Sequence, residues 1–223
     1  KYWTNSVGTI DKQYNNYKVN IAIYADDFVI TATKREILEE IKNLVEEFLK
    51  IRGLELSREK TLITHIEKGF DFLGWNFKKY GEKLLTKPSK KSVKRVTNNI
   101  RQTIKKNRMQ SQDNLIIRLN QIITGWCNYH RHICAKETFQ KLDKDISDSL
   151  WFWCKRKHPD KSKKWVKDKY FTQIKNRDWI FTSNNRRLKF ASDFKIERHV
   201  LIKYKATPYL EKYRAYYKKR RAC

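Results

Sequence analysis

Two adjacent carboxylates, Asp26 and Asp27, are the groups in this 223-residue sequence whose type and spacing could do chemistry. Neighbouring carboxylates repel, so keeping both ionised calls for a cation, and oxygen donors suit a hard divalent ion such as Mg²⁺. An ordinary acidic surface turn would use the same pair, and a bare Asp-Asp implies no more than that. Here, however, Ile21-Ala22-Ile23-Tyr24-Ala25 leads in and Phe28-Val29-Ile30-Thr31 leads out. These flanks favour strands while the acids favour a turn. The stretch therefore predicts a tight β-hairpin with buried arms and two acids at its tip. Residues 1–18 read as an irregular approach to it.

The elements that would position the hairpin follow in the chain. Thr33 fits a helix N-cap, with Glu36 three residues on, as a capping box requires. Ile37, Leu38, Ile41, Leu44, Val45, Phe48 and Leu49 recur on one helical face, and Gly53 marks its stop. This stripe is expected to pack as core on the back of the hairpin sheet. Residues 61–66 read as a strand. Phe70, Phe72, Trp75 and Phe77 then alternate about Gly74. A glycine inside a strand pattern implies a bulge or a close backbone approach by another chain, with a plain packed hairpin as the simpler alternative.

Charge divides the chain. Residues 1–88 hold 15 Lys/Arg against 13 Asp/Glu, whereas residues 89–223 hold 36 against 11, within a total of +27. A near-neutral front and a very basic back suggest two units, the second facing a polyanion. Aromatic residues make up 13% of the chain, too many for a disordered basic tail. No apolar run approaches the roughly 20 residues of a membrane span, so nucleic acid is the expected partner and a membrane is not. Cys127, Cys134, Cys154 and Cys223 lack paired C-x-x-C spacing. Zinc is unsupported, and the first three are expected to be small buried apolar groups.

The basic half reads as helical from Pro88-Ser89 onward, with Ser89 as a cap. Three stripes predict three amphipathic helices: Val93, Val96, Ile100 and Ile104; Leu115, Leu119, Ile122, Ile123 and Trp126; Phe139, Leu142, Ile146, Leu150 and Trp153. The candidate RNA-binding cations are Lys90, Lys91, Lys94, Arg95, Arg101, Lys105, Lys106, Arg108, Arg131, Lys155, Arg156, Lys157, Lys161, Lys163 and Lys164. Their interleaving with aromatic residues suits phosphates and exposed bases. Trp126, Trp151 and Trp153 fit bundle core better than base stacking. His130 and His132 lack a third metal ligand at a sensible spacing and read as polar contacts or surface groups. Beyond residue 170, Trp179-Ile180-Phe181-Thr182, Leu188-Lys189-Phe190 and residues 194–202 alternate like short strands, with Asn184-Asn185 as a turn. Tyr209 onward reads as a basic helical tail.

Tyr24-Ala25-Asp26-Asp27 resembles the Tyr-x-Asp-Asp signature of reverse transcriptases, and with Phe28-Val29-Ile30 it is most similar to those encoded by group II introns. Phe72-Leu73-Gly74-Trp75 resembles the same family. So do Gly125-Trp126-x-Asn128-Tyr129-x-Arg131 and Lys157-His158-Pro159-x-Lys161-Ser162-Lys163-Lys164-Trp165, which are similar to its maturase-specific domain. The resemblance implies an α+β chain in three parts. Residues 1–88 would be the end of the polymerase palm, 89–170 a helical thumb and maturase domain, and 171–223 a basic extension with DNA as a candidate partner. It further implies RNA-templated DNA synthesis at a two-metal Mg²⁺ site, with Asp26 a direct ligand and Asp27 binding or supporting. Tyr24, Ala25, Gly74 and Trp75 would lie near the primer and nucleotide. Intron RNA and a template–primer duplex would be the partners. The expected setting is a cytoplasmic, nucleoid-associated or organellar ribonucleoprotein rather than secretion.

The family's palm uses a further metal-binding Asp on an earlier strand, and the only earlier acid here is Asp11. The chain, which begins at Lys1 without Met, is therefore expected to be a piece of something longer. It should not polymerise without an N-terminal reverse transcriptase segment, covalent or split. The alternative is a catalytically inactive RNA-binding maturase that assists splicing. A basic protein of the ribosomal or chromatin kind would explain the charge but not the two acids.

Overall fold

A computed structural model describes residues 18–175, 177–183, 186–197, 206 and 209–221. The expected irregular approach, the Asn184-Asn185 turn, the end of the last expected strand and Cys223 lie outside or largely outside these residues. The chain is α+β and forms two compact units. One holds the described residues up to His65 together with those from 206 on, and the other runs from Ile66.

In the first unit, β1 (Asn20–Tyr24) and β2 (Asp27–Thr31) pair antiparallel, with Ile21 opposite Ile30 and Tyr24 opposite Asp27. The expected hairpin is present, but its arms are not buried. Ile23 is 64% exposed and Tyr24 65%, and β2 is only half-covered. Two strands alone have too little surface to bury each other's side chains. Helix α1 (Arg35–Lys50) follows, capped by the Lys34 backbone without a side-chain bond rather than by Thr33. Its stripe is core only as far as Ile37 and Ile41, for Leu44 and Phe48 are exposed. The Arg52 guanidinium covers one face of Phe48 at 3.6 Å. Gly53 ends the helix as expected, at φ 68, where left-handed backbone suits glycine. Leu54 N–H donates to Leu49 O and Gly53 N–H to Lys50 O, which closes the last turn in a Schellman motif. Residues 61–65 make no strand, and the unit closes with α6 (Arg214–Arg221), a basic helix of the expected kind.

The second unit opens on a three-stranded antiparallel sheet, β3 (Phe70–Phe72), β4 (Trp75–Tyr80) and β5 (Lys83–Pro88), in sequential order. Phe70 and Phe77 stack across it at 5.3 Å. Gly69 enters β3 at φ 80, and a Cβ there would sit 2.9 Å from the Phe77 carbonyl. Gly81, at φ 56, faces open space. Gly69→Ala should therefore cost about 1–3 kcal/mol and Gly81→Ala about 1 kcal/mol in urea melts, from backbone strain alone at the second site. Equal losses would contradict this packing.

Three helices then form the core: α2 (Lys90–Lys106), α3 (Gln112–His130) and α4 (Lys136–Lys157). The Ser89 hydroxyl accepts from Ser92 N–H, and Ser111 caps α3 in the same way. All three expected stripes point inward, with Ile100, Leu115, Leu119, Ile123, Phe139, Leu142, Ile146 and Leu150 at most 2% exposed. Trp153 is buried, and Trp126 and Trp151 pack partly buried against the core. Cys127 and Cys154 are buried as expected, their thiols pushed up to about 12 chiefly by burial. Cys134 instead is exposed, because it follows the end of α3 on the link to α4.

The chain beyond α4 is clasped onto this bundle. Helix α5 (Lys163–Tyr170), capped by Ser162, leads into the hairpin β6 (Phe171–Ile174) and β7 (Arg177–Phe181). The Gln112 amide donates to the carbonyls of Tyr170 and Thr182. Asn120 donates to Arg187 O and accepts from Lys189 N–H. Asp143 accepts the backbone N–H groups of Ala191 and Ser192. These contacts to single side chains hold residues 187–192 in place of the strand expected at 188–190. Leu188 N–H donates to Phe181 O next to an isolated Thr182–Arg187 bridge, but residues 188–190 form no strand, and residues 191–193 form a 3₁₀ turn.

Candidate catalytic turn and nucleic-acid interface

Because Tyr24 pairs with Asp27, the hairpin turn consists of Ala25 and Asp26 alone. Ala25 has φ 51 and Asp26 does not share the positive sign, as in a type II′ turn. An alanine held there stores about 1–2 kcal/mol, which two-residue closure between paired strands imposes. The result places Asp26 at the apex and Asp27 on the first residue of β2, both exposed. Their oxygens fit a hard divalent ion as part of a coordination shell. Among the described residues no group of three His, Cys, Asp or Glu side chains could complete one.

Gly74 and Trp75 belong to the second unit. Leu73 (φ 49) and Gly74 (φ 79) are the two central residues of the β3–β4 turn, a type I′ pattern. The expected bulge is therefore absent. Glycine is used for its left-handed φ, since a Cβ would meet Ser92 and Tyr129 only at ordinary distances of 3.8–3.9 Å. The turn is fixed to the helices by Ser89 N–H donating to Gly74 O at 2.9 Å and Tyr129 O–H to Leu73 O at 2.6 Å. Trp75 packs on Tyr129 at 5.6 Å. The Gly-Trp turn is thus tied to α2 and α3 by two hydrogen bonds and a ring contact.

His130 lies buried beneath this turn, 1% exposed, so of the two sequence readings it is the polar contact and not the surface group. Trp126 Nε1–H donates to Ser92 Oγ, which also meets His130 Nε2 at 3.1 Å. Burial pulls the His130 pKa down to about 4. A depressed histidine stabilises the fold fully above its unfolded value of about 6.5, and that stability is lost as pH falls towards 4. The difference is about 3 kcal/mol. Denaturation of the chain at pH 7 and pH 4.5 should show a drop of this order that His130→Gln reduces; equal pH slopes in the two proteins would contradict it.

The candidate cations of α2 are all exposed, and Arg108 joins them in the following loop. Arg131 is different, half-buried and ion-paired with Glu197. At the end of α4, Lys157 donates to Gln110 O and lies 4.7 Å over Trp153, while Lys155 lies over Trp151. Lys161 and Lys169 approach Trp165 at 5.5 and 4.7 Å, and Lys167 lies 5.0 Å from Trp179. Several rings here thus lie against ammonium groups. Lys167 and Lys169 are absent from the sequence-derived set, although the i,i+4 spacing of Trp165 and Lys169 on a Ser162-capped helix carries the signal. His158 Nε2 meets Tyr170 Oη at 2.7 Å, and burial followed by the neighbouring lysines lowers its pKa.

Two known families match segments of the chain. Residues 2–77 match the reverse transcriptase (RNA-dependent DNA polymerase) family, and residues 93–171 match the group II intron maturase-specific domain. The chain thus carries a segment similar to reverse transcriptases followed by one similar to the group II intron maturase-specific domain. It is 29% identical over 143 residues to the ribosomal operon-associated A protein of Euglena longa, covering 62% of this chain and 27% of that protein. It is 36% identical over 96 residues to protein YkfC of Escherichia coli K12, covering 36% of this chain and 24% of that protein. The chain thus spans about a quarter of the length of these curated relatives. Reverse transcriptases as a family use Mg²⁺. Among the described residues no helix is long and apolar enough to cross a membrane.

Proposed function

We propose that this chain supplies the catalytic turn and the RNA grip of a group II intron reverse transcriptase/maturase. In this reading it acts in RNA-templated DNA synthesis when completed by an N-terminal fingers and palm segment, and it binds intron RNA for splicing and mobility. The observation that carries the reading is the Ala25-Asp26 turn, which raises two adjacent carboxylates to an exposed tip within the segment matching reverse transcriptases.

Asp26 would hold Mg²⁺ directly, and Asp27 would bind or support from β2. Bound there, the ion would offset charge on the attacking and leaving oxygens of phosphoryl transfer. The strained Ala25 and the β1–β2 pairing keep the carboxylates at a fixed apex. Tyr24 and Ala25 would line the primer terminus and the incoming nucleotide, with Gly74 and Trp75 approaching the primer. The cations of α2, α4 and α5 would hold template–primer and intron RNA by their phosphates, and the basic region beyond residue 170 would reach DNA. A ribonucleoprotein in the cytoplasm, nucleoid or an organelle is the setting this implies.

Binding of the chain to a structured group II intron RNA should depend steeply on salt. With 6–10 phosphate contacts, affinity should fall by about 10³–10⁵ between about 50 and 200 mM salt. A flat salt response in filter binding would remove the RNA-grip reading. The second reading is a splicing maturase without polymerase activity, in which the RNA-binding cations act alone. Intron splicing assisted equally by the Asp26→Asn protein, with no primer extension by any completed form, would select it.

A further inference from the structure

A cavity of about 240 Å³ opens between α2 and α4, lined by Arg101, Lys105, Ser149, Phe152, Trp153 and Arg156 around Ile104. Its floor is apolar, since Ile104 and Trp153 are at most 5% exposed, while Phe152 stands 59% exposed at its side. Its rim is cationic, with three charged residues and no carboxylate in the lining. Arg101 reaches Asp145 at 3.8 Å, and among the described residues Lys105 and Arg156 make no ion pair. Ser149 donates its hydroxyl proton to Asp145 O at 2.7 Å, which leaves the oxygen as an acceptor facing the groove.

An open aromatic ring beside an apolar floor, edged by three cations of which only Arg101 has an ion-pair partner among the described residues, is a chemical match for one nucleotide. A base has a flat face to stack and an edge N–H to donate, and its flanking phosphates need cations. The volume lies below the roughly 300–1,000 Å³ of pockets for drug-sized ligands and suits a single base. Sheathed duplex bases cannot enter it. We propose that this groove is a subsite for one unstacked ribonucleotide, at a bulge or loop of the bound RNA. Its base stacks on Phe152, its edge meets Ser149, and its phosphates lie on Arg101, Lys105 and Arg156. The assignment rests on the RNA-binding reading and adds to it a preference that charge alone does not create.

The test uses the full chain, a hairpin RNA carrying one unpaired nucleotide and the same hairpin fully paired, compared by fluorescence anisotropy at fixed ionic strength. The bulged RNA should bind about tenfold tighter, the order expected for stacking one base. Phe152→Ala should remove that advantage and Phe152→Trp should keep it. Arg156→Gln should weaken both RNAs and lower the salt slope by about one. A 5-iodouridine at the bulge should photocrosslink to Phe152. Equal affinity of wild-type protein for the two hairpins, or an advantage that survives Phe152→Ala, would overturn the subsite while leaving general RNA binding in place. Displacement of both RNAs by poly-glutamate together with equal affinities would assign the groove to an acidic protein and also overturn it. Binding of neither RNA would instead defeat the broader RNA-binding reading.

Discussion

Asp26→Asn, placed in the completed enzyme, should lower RNA-templated primer extension by about 1,000-fold while leaving intron RNA affinity within about twofold. The size follows from the role. A ligand that positions charge-stabilising metal at phosphoryl transfer is worth several kcal/mol, at about 1.4 kcal/mol for each tenfold in rate. The selectivity follows from the fold. Asp26 sits in an exposed two-residue turn of the first unit, whereas the bundle and most candidate phosphate-binding cations lie in the second. Amide for carboxylate keeps the size of the side chain and its turn preference, so the hairpin should survive. Asp27→Asn should do less, because Asp27 begins β2 and pairs with Tyr24. Primer extension within tenfold of wild type in Asp26→Asn would remove the catalytic role.

Phe139→Ala has the largest expected effect on stability. Phe139 is fully buried, meets Trp126 edge-on at 5.7 Å, and enters α4 one turn from its start. Truncating a buried phenylalanine costs about 3–5 kcal/mol in lost transfer energy and cavity. Domains hold only about 5–15 kcal/mol in total, so the melting temperature should fall by about 6–20 °C. Trp126 is hydrogen-bonded to Ser92, which also holds His130 below the Gly74 turn. The loss should therefore reach the turn, and RNA binding should weaken near the melting temperature. Calorimetry decides it, and a shift under about 2 °C would show that the bundle is packed differently.

The parts of this fold that were legible in the sequence are those set by local period. The stripes of α2, α3 and α4 repeat at helical spacing over about three to four turns, and Ser89 caps the helix that follows Pro88. The hairpin at Asp26 was legible because strand formers bracket turn formers. What was hidden depends on distant partners. Burial of the arms of β1 and β2 cannot be read from their own residues, and in the structure Ile23 and Tyr24 stay open. Strand β5 hides because Leu84 and Leu85 are too short a run between lysines, and only pairing with β4 makes it a strand. Helix α5 hides inside a lysine-rich run whose single stripe is Val166 and Tyr170.

The same contrast holds at the site. Tyr24, Ala25, Asp26 and Asp27 announce themselves by type, and their register follows from a two-residue turn. His130 gave no such sign, because its meaning comes from Ser92, 38 positions away in the chain. Gly74 was noticeable as a glycine among aromatics, but whether it served a bulge or a turn depended on which residue paired with Trp75. That residue is Phe72, and the pairing makes Leu73-Gly74 a turn.

The central claim is that Asp26 and Asp27 hold a divalent ion, and metal-directed cleavage tests it without relying on catalysis. In the completed enzyme, Fe²⁺ exchanged for Mg²⁺ and supplied with ascorbate and peroxide would generate radicals at the bound ion. The account predicts backbone scission clustered at Ala25, Asp26 and Asp27, suppressed by excess Mg²⁺ and absent in Asp26→Asn. Scission elsewhere in the chain, or an unchanged pattern in Asp26→Asn, would contradict it.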